Sequence, residues 1–276
     1  GKNKVSGKVK ITAVNPDKRN YDSIPVCGGV TFGKGELFDT NGLQVTDLSG
    51  KVIPAQFTVL ARRGLDKSII SVAVDFNTPL KSGERKDFYL LFGNKTFKRT
   101  GKNIVEKRGN DIVIDTGKLS LVLTPKEKSF IKGKEAFCAV QSIDGKIHRS
   151  AADIVRIDEN GPQRATIFMR GKSILAWELR LTFFKDQPYM KVDYSFENNY
   201  KTGDVFSRCV KSIFVELPGG ERYQCDRFQG AGNALFSQRH ARTGEFMWDV
   251  YTNVNGRKQI IDNLKLSGSG RAGNSA

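Results

Sequence analysis

The stretch Ala165–Asn198 decides the fold, and it reads ATIFMRGKSILAWELRLTFFKDQPYMKVDYSFEN. Apolar and polar residues alternate with a period of two through ATIFMRG, WELRLTFF and MKVDYSFEN, and Gly, Ser, Asp and Pro occur in the breaks between them. Such alternation is typical of strands with one buried face, and such breaks are typical of turns. The stretch therefore predicts three consecutive strands.

The same pattern extends in both directions along the chain, through KVKITAV, IISVAVDF, FYLLFG, DIVIDTG, LSLVLT and KSIFVEL. Turn residues separate these segments at intervals of roughly ten residues, which favours sandwiches and barrels over βαβ units. No amphipathic helix of a dozen residues occurs, since even ARRGLDKSII is interrupted by Gly64. The chain also lacks a Rossmann fingerprint, a P-loop and a nucleophile elbow. We predict an all-β protein of antiparallel strands.

The segment Lys95–Asn110, KTFKRTGKNIVEKRGN, is basic and poor in apolar residues. Such composition is typical of a connection between domains. Length alone also favours two domains for a chain of 276 residues. The predicted domains are residues 1–101 and 102–276.

The formal net charge of +16 predicts attraction to polyanions, namely nucleic acid, anionic lipid or acidic polysaccharide. Nucleic acid is disfavoured because the chain has neither a basic-aromatic strand motif of the RRM type nor a helix-turn-helix. No apolar run approaches the roughly 18 residues that a membrane-spanning helix needs. A dispersed, solvated basic surface is the plain alternative to any polyanion site.

Four cysteines lie far apart in the sequence, without Cys-x-x-Cys spacing, at Cys27, Cys138, Cys209 and Cys225. The spacing excludes a zinc knuckle or a thioredoxin-like motif and favours buried free thiols, with a Cys209–Cys225 disulfide as the alternative. No Asp-rich calcium loop is present. We expect neither a metal nor a cofactor.

Three blocks in the first domain have a recognisable order: IPVCGGVTFGKGEL (Ile24–Leu37), GKVIPAQFTVLAR (Gly50–Arg62) and DKSIISVAVDF (Asp66–Phe76). Downstream, DIVIDTGKLSLVL, ENGPQRATIFMRG and LTFFKDQPYMKVDYSFEN follow in the second domain. This order resembles the exo-rhamnogalacturonan-lyase-like family. The resemblance implies a RIFT-like β-barrel followed by a β-supersandwich, without the family's α/α-toroid. The chain then resembles a protein truncated at its C-terminus, a processed fragment or a split protein, and a naturally short β-protein with a flexible Gly/Ser tail is the alternative.

Local roles are expected for several residues of these blocks. The glycines Gly28, Gly29, Gly33 and Gly35 are expected to allow a backbone crossing in a crowded barrel, and Gln56 to satisfy buried backbone groups. Pro54 is expected to open a strand. Three carboxylates are interpreted as turn formers: Asp153, Asp158 and Glu159.

The resemblance implies an extracellular or cell-surface protein that binds acidic, uronate-containing polysaccharide. Where relatives carry an aromatic-Pro-Asp-Gly-Ser turn and a Trp, this chain has Arg63–Ser68 followed by Ile70 and Ser71. That departure puts one glycan contact of the relatives in doubt. Because the toroid is absent, lyase activity is uncertain and the catalytic machinery is expected to be incomplete.

The best candidate site surrounds one of the two histidines. His240 or Tyr251 could serve as the base of a lyase, since either can remove a proton beside a carboxylate. The nearby substrate-binding candidates are Arg227, Arg239, Arg242 and Trp248. Arginine could hold a uronate carboxylate by bidentate pairing while the indole stacks on a sugar face. A polar turn with a packed Trp is the structural alternative, and His148 is expected to be an exposed surface residue.

A second hypothesis comes from a different class of protein. The strand-like segments VSGKVKITAV and RKQIIDNLKL, near the two ends, could add to sheets of neighbouring molecules. The chain would then be a structural subunit of a filament, sheath, surface layer or virion, as a homo-oligomer. Sequence leaves the choice between glycan binding and assembly open.

Overall fold

The structure is a computed structural model that describes residues 3, 5–97, 101–142, 144–197, 210–218, 223–225, 228–230, 234–240, 246–254 and 257–266. At residues 197 and 210–212, and from 223 onward, only the backbone is described. None of the described residues is helical, and all strand pairs are antiparallel. The all-β prediction is therefore confirmed.

The first seven strands form an N-terminal unit of two sheets. Their bounds are β1 (Gly7–Val14), β2 (Tyr21–Thr31), β3 (Gln44–Asp47), β4 (Val52–Ile53), β5 (Ala55–Arg62), β6 (Ile69–Leu80) and β7 (Arg85–Phe92). One sheet has the order β1-β7-β3-β4 and the other β2-β6-β5. Pro54 lies between β4 and β5, so the chain passes from one sheet to the other at this corner, as expected for a proline that opens a strand.

Among the described residues, fifteen further strands follow, and we call them the C-terminal unit. Their bounds are β8 (Val105–Arg108), β9 (Asp111–Asp115), β10 (Ser120–Leu123), β11 (Phe137–Ser142), β12 (Ile147–Arg149), β13 (Ala152–Asn160), β14 (Arg164–Lys172), β15 (Ala176–Phe184), β16 (Met190–Glu197), β17 (Val210–Glu216), β18 (Tyr223–Cys225), β19 (Phe228–Gly230), β20 (Ala234–His240), β21 (Phe246–Val254) and β22 (Arg257–Leu266). The largest sheet has the order β13-β14-β15-β16. Its last three strands, β14–β16, coincide with the alternating stretch that predicted three consecutive strands.

Each unit has a hydrophobic core of its own. In the N-terminal unit, Phe76 of β6 packs edge-to-face on Phe88 of β7, which joins the two sheets across the core. In the C-terminal unit, Ile167 and Leu179 are buried in the core with Ile114 of β9. Aromatic and branched side chains at alternate positions fill these cores, as the period of two requires. The domain boundary at 101/102 stays a prediction.

The segment expected to be a connection is more ordered than its composition suggests. Its second half contains β8, and Ile104 and Val105 are buried in the core of the C-terminal unit. The side chain of Asn160 pairs with both backbone groups of Val105, donating to the carbonyl at 2.9 Å and accepting from the amide at 3.1 Å. Burial of these two apolar residues and the two hydrogen bonds to Asn160 hold the second half of the segment against the C-terminal unit.

Candidate functional site

The outer edges of β1 and β2 face each other across a groove, which we call the seam. Both strands lie at the edge of their sheets, and among the described residues they do not pair with each other. The groove encloses about 320 Å³ and is bordered by Val9 and Ile11 of β1 and by Val26 and Val30 of β2. An edge strand presents a row of unpaired amide and carbonyl groups. The seam therefore has two rows of unpaired backbone amide and carbonyl groups and an apolar lining.

Glycine creates the space in the seam. Gly28 lies between Val26 and Val30, at the alternate position that would otherwise direct a side chain into the groove. A Cβ added at Gly28 or at Gly29 would meet no atom within 4 Å. The expectation that these glycines relieve crowding is wrong, because the backbone around them is open rather than tightly packed.

The charge along the seam is positive. β1 contains no carboxylate and β2 contains only Asp22, near its start, whereas Lys8 and Lys10 are both exposed on β1. Lys10 forms an ion pair with Asp87 at 2.7 Å, and this hydrogen bond raises the pKa of the lysine. Lys8 lies over the ring of Tyr89, with its Nζ 4.6 Å from the ring centroid.

A second cluster of polar residues joins the two units. We call it the junction cluster, and its members are Cys27, Gln56, Thr58, Asp75, Glu159 and Arg164. Cys27, Asp75 and Gln56 form one row across β2, β6 and β5, because Asp75 is the register partner of both neighbours. Glu159 ends β13 and Arg164 begins β14, so the turn between these strands meets that row.

Arg164 is the centre of the junction cluster. Its Nη1 lies 2.9 Å from Oδ1 of Asp75, and its Nε lies 2.7 Å from Oε2 of Glu159. The Asp75 side chain is 5% exposed and that of Arg164 19%. Burial alone would lower the pKa of the guanidinium, but the hydrogen bond to Glu159 and the charge of Asp75 raise it overall. Arg164 therefore stays charged between the two carboxylates.

The other bonds of the cluster satisfy backbone and side-chain groups across the junction. Oε1 of Gln56 accepts hydrogen bonds from the backbone amides of Gln163 and Arg164, at 3.0 and 2.9 Å. Its Nε2 donates to Glu159 at 2.9 Å, and the hydroxyl of Thr58 donates to the same carboxylate oxygen at 2.7 Å. The prediction that Gln56 satisfies buried backbone groups is confirmed. The interpretation of Glu159 as a turn former is wrong, since it is a buried ion-pair partner within β13.

Cys27 and Asp75 have perturbed acidities. Burial raises the pKa of the Cys27 thiol to about 11, and the neighbouring Asp75 raises it further than Arg164 lowers it. Burial also raises the pKa of Asp75, and its Oδ2 has no hydrogen-bond partner among the described residues. A thiol of this acidity is a poor nucleophile at neutral pH. The observed contacts of the cluster are ion pairs and hydrogen bonds that link the two units.

The expectation of buried free thiols holds at one described cysteine and is wrong at the other. Cys138 is buried and free, whereas Cys27 is free but exposed. The side chains of Cys209 and Cys225 lie outside the described residues. His148, expected to be exposed, is half-buried, and its Nε2 lies 3.1 Å from the hydroxyl of Ser142.

The six sequence-predicted site residues are described at most by their backbone. Arg227 and Arg242 lie outside the described residues. In the hairpin β20–β21, Arg239 pairs with Met247 and His240 with Phe246, while the register partner of Trp248 is Gln238 and that of Tyr251 is Leu235. The four residues thus belong to one hairpin, and their roles stay predictions.

Sequence reasoning missed both the seam and the junction cluster. A signal for the cluster was present: Asp75 is the one carboxylate in the apolar run IISVAVDF, and a carboxylate in such a run commonly has a buried cationic partner. The turn formers Asp153 and Asp158 are likewise within β13 instead of in turns. No sequence pattern distinguishes Gly28 at an open seam from a glycine in a crowded turn.

Metal-binding clusters and membrane-spanning helices are both absent from the described ranges. There, no group of three or more His, Cys, Asp or Glu side chains is arranged to hold a metal ion. The same residues include no helix with the length and hydropathy needed to cross a membrane.

Comparisons with known proteins give a limited result. No family model matches the chain, and no curated protein matches it significantly. Among solved structures, it is similar to a protein in the glycosyl hydrolase family 38 from Enterococcus faecalis, with a TM-score of 0.41 and 12% identity. The similarity covers 90% of this chain and 40% of that one. This chain therefore spans about two fifths of the length of that structure.

Proposed function

We propose that the chain is a β-structured, non-catalytic subunit of an extracellular assembly, and that it joins its partner by accepting an extended strand at the seam. The observation that supports this proposal is the pair of strand edges facing each other across an apolar groove. Addition of a strand to an exposed sheet edge is a common mode of peptide recognition, in which backbone hydrogen bonds supply affinity. Alternate side chains of the added strand would contact Val9, Ile11, Val26 and Val30.

Gly28 allows a direct test. Because a Cβ at this position meets no neighbouring atom, Gly28→Val should fill the groove without disturbing the fold. Gly64 is the matched control, since a Cβ there also meets nothing and Gly64 does not line the groove.

The tagged protein would be isolated from its source and its particle mass measured by light scattering. We expect Gly28→Val to lose the partner and Gly64→Val to retain it. Equal assembly of both variants would refute the proposal.

Acidic-polysaccharide binding remains a second candidate, and the outer face of the sheet β13–β16 favours it. There, register places Phe168 between Arg156 and Arg180, whose guanidinium carbons lie 4.6 and 4.8 Å from the ring centroid. Arginine suits the recognition of carboxylates because its planar fork can donate two parallel hydrogen bonds.

Retention on immobilised polygalacturonate in a salt gradient tests this candidate. The double variant Arg156→Ala/Arg180→Ala should elute at lower salt than the wild type. Arg108→Ala/Lys132→Ala removes the same charge from exposed ion pairs elsewhere and is the control. Identical elution of the two double variants would exclude this face as the binding surface.

A further inference from the structure

We infer that Asn94 is an attachment site for an N-linked glycan, which is transferred to it from a lipid-linked oligosaccharide. The motif is Asn94-Lys95-Thr96, and no other Asn-x-Ser/Thr sequence occurs in the chain. The transferring enzyme recognises an asparagine and the hydroxyl group two residues later, with any residue except proline between them. The inference rests on the extracellular location in the proposed function and adds a covalent modification to it.

The structure places this motif on a loop that projects from the N-terminal unit. The loop begins after Gly93, beyond the end of β7, and residues 94–96 belong to no described strand. All three residues are exposed. Among the described residues, neither the amide of Asn94 nor the hydroxyl of Thr96 has a hydrogen-bond partner. Both groups are therefore accessible to an enzyme, as modification of a surface loop requires.

Both ends of the loop are fixed, so the three exposed residues stay on the surface. The carbonyl of Gly93 accepts a hydrogen bond from Nδ2 of the buried Asn3 at 2.9 Å. A Cβ added at Gly93 would lie 2.8 Å from the Cβ of Ser6, so the backbone before the motif is tightly packed. After the motif, the amide of Phe97 donates to the carbonyl of Asn41 at 2.9 Å. The folded protein thus presents the motif outward at a defined place.

A glycan on this loop is compatible with the other described surfaces. The hydrogen bonds that join the two units involve other segments, such as Gln56 and the β13–β14 turn. Along the chain, Asn94 lies four residues beyond Leu90, which is the register partner of Val9 in the seam. At roughly 3.3 Å per residue, Asn94 and Leu90 are at most about 13 Å apart. The glycan would therefore stand at one end of the seam and leave the apolar lining open.

The modification forms one bond and breaks another. The side-chain nitrogen of Asn94 bonds to the anomeric carbon of the first sugar, and that carbon loses its bond to the diphosphate of the lipid carrier. The diphosphate leaves with the bonding electron pair, and the amide nitrogen gives up one proton to water. No oxidant or reductant takes part.

Mass spectrometry of the tagged protein isolated from its source tests the inference. We expect the wild type to exceed the mass calculated from its sequence, and peptide-N-glycosidase in heavy-oxygen water to remove the excess and leave a labelled carboxyl at position 94. Thr96→Ser should keep the glycan because the hydroxyl remains, whereas the isosteric Thr96→Val should lose it. Asn94→Gln should also lose the glycan. Asn41→Gln is the matched control, since Asn41 is exposed on the neighbouring loop but has no hydroxyl residue two positions later.

The outcomes separate this inference from strand addition at the seam. An unmodified Asn94 in the wild type, or a glycan that Thr96→Val retains, would overturn the inference. If Asn94 is unmodified while Gly28→Val loses the partner, the inference is wrong and strand addition stands. If the glycan is present while Gly28→Val keeps the partner, the glycan stands and strand addition is wrong. A protein found only inside its cell and without sugar would refute the extracellular location on which both depend.

Discussion

Replacing Arg164 with Met should strongly destabilise the protein, because it removes the one cation from between two buried carboxylates. The side chains of Asp75 and Glu159 are 5% and 11% exposed. Breaking a buried ion pair by removing one partner costs about 3–5 kcal/mol. Two lost hydrogen bonds to charged groups, at about 1.5–3 kcal/mol each, give a similar range. At roughly 2–4 °C per kcal/mol for a chain of this size, Tm should fall by roughly 6–20 °C.

The loss of stability should depend on pH with a definite sign. Burial already raises the pKa of Asp75 in the folded wild type, and loss of the guanidinium, which opposes this shift, should raise that pKa further. The folded variant then binds more protons than the unfolded one above about pH 4, so its stability falls as pH rises. The difference between wild type and Arg164→Met should therefore be larger at pH 8 than at pH 5.

Urea unfolding followed by tryptophan fluorescence at both pH values measures these effects. Arg108→Met is the matched control, because its guanidinium is 63% exposed and pairs only with exposed Glu106, so no measurable change in midpoint is expected. A midpoint for Arg164→Met equal to that of the wild type would refute the reasoning, and so would a loss that is the same at both pH values.

Three further predictions concern the same region and the buried thiol. Gly161→Ala should lower stability by about 1–3 kcal/mol in urea unfolding, because the new Cβ would lie 2.1 Å from Oε1 of Gln56, and Gln56→Ala should remove most of this effect. Asp75→Asn should speed alkylation of Cys27 by iodoacetamide at pH 8, since the carboxylate raises the pKa of that thiol; an unchanged rate in peptide mapping would contradict this. Cys138 should react only after unfolding, because burial raises its pKa and shields it, and labelling of the native protein would oppose that expectation.

The strands could be predicted from the sequence because each has one buried face. The alternation of apolar and polar residues shows which side chains lie on that face. In β15, for example, Trp177, Leu179 and Leu181 are all buried, while Glu178 and Arg180 are more exposed. The signal is local and needs no knowledge of the neighbouring strands. Alternation therefore predicted the fold class and most strands without a tertiary model.

The sites could not be predicted in the same way, because they depend on contacts between distant segments. Asp75 and Arg164 are 89 positions apart in sequence, and only the meeting of β6 with the β13–β14 turn brings them within 2.9 Å. The seam exists because β1 and β2, both described, do not pair with each other. No residue in either strand predicts that they stay unpaired. The basic composition around Ile104 and Val105 also predicted a connection between domains. Both apolar residues are instead buried in the core of the C-terminal unit.

The amide of Gln56 has a consequence for how the chain can be divided. Its oxygen accepts hydrogen bonds from the backbone amides of Gln163 and Arg164. A residue of the N-terminal unit therefore satisfies two backbone donors in the β13–β14 hairpin of the C-terminal unit. A cut between the units would leave those two amides to water and would expose the carboxylate of Glu159. We therefore expect each unit to be less stable alone, and a foreign neighbour to restore these bonds only with a glutamine at the same place on the new surface.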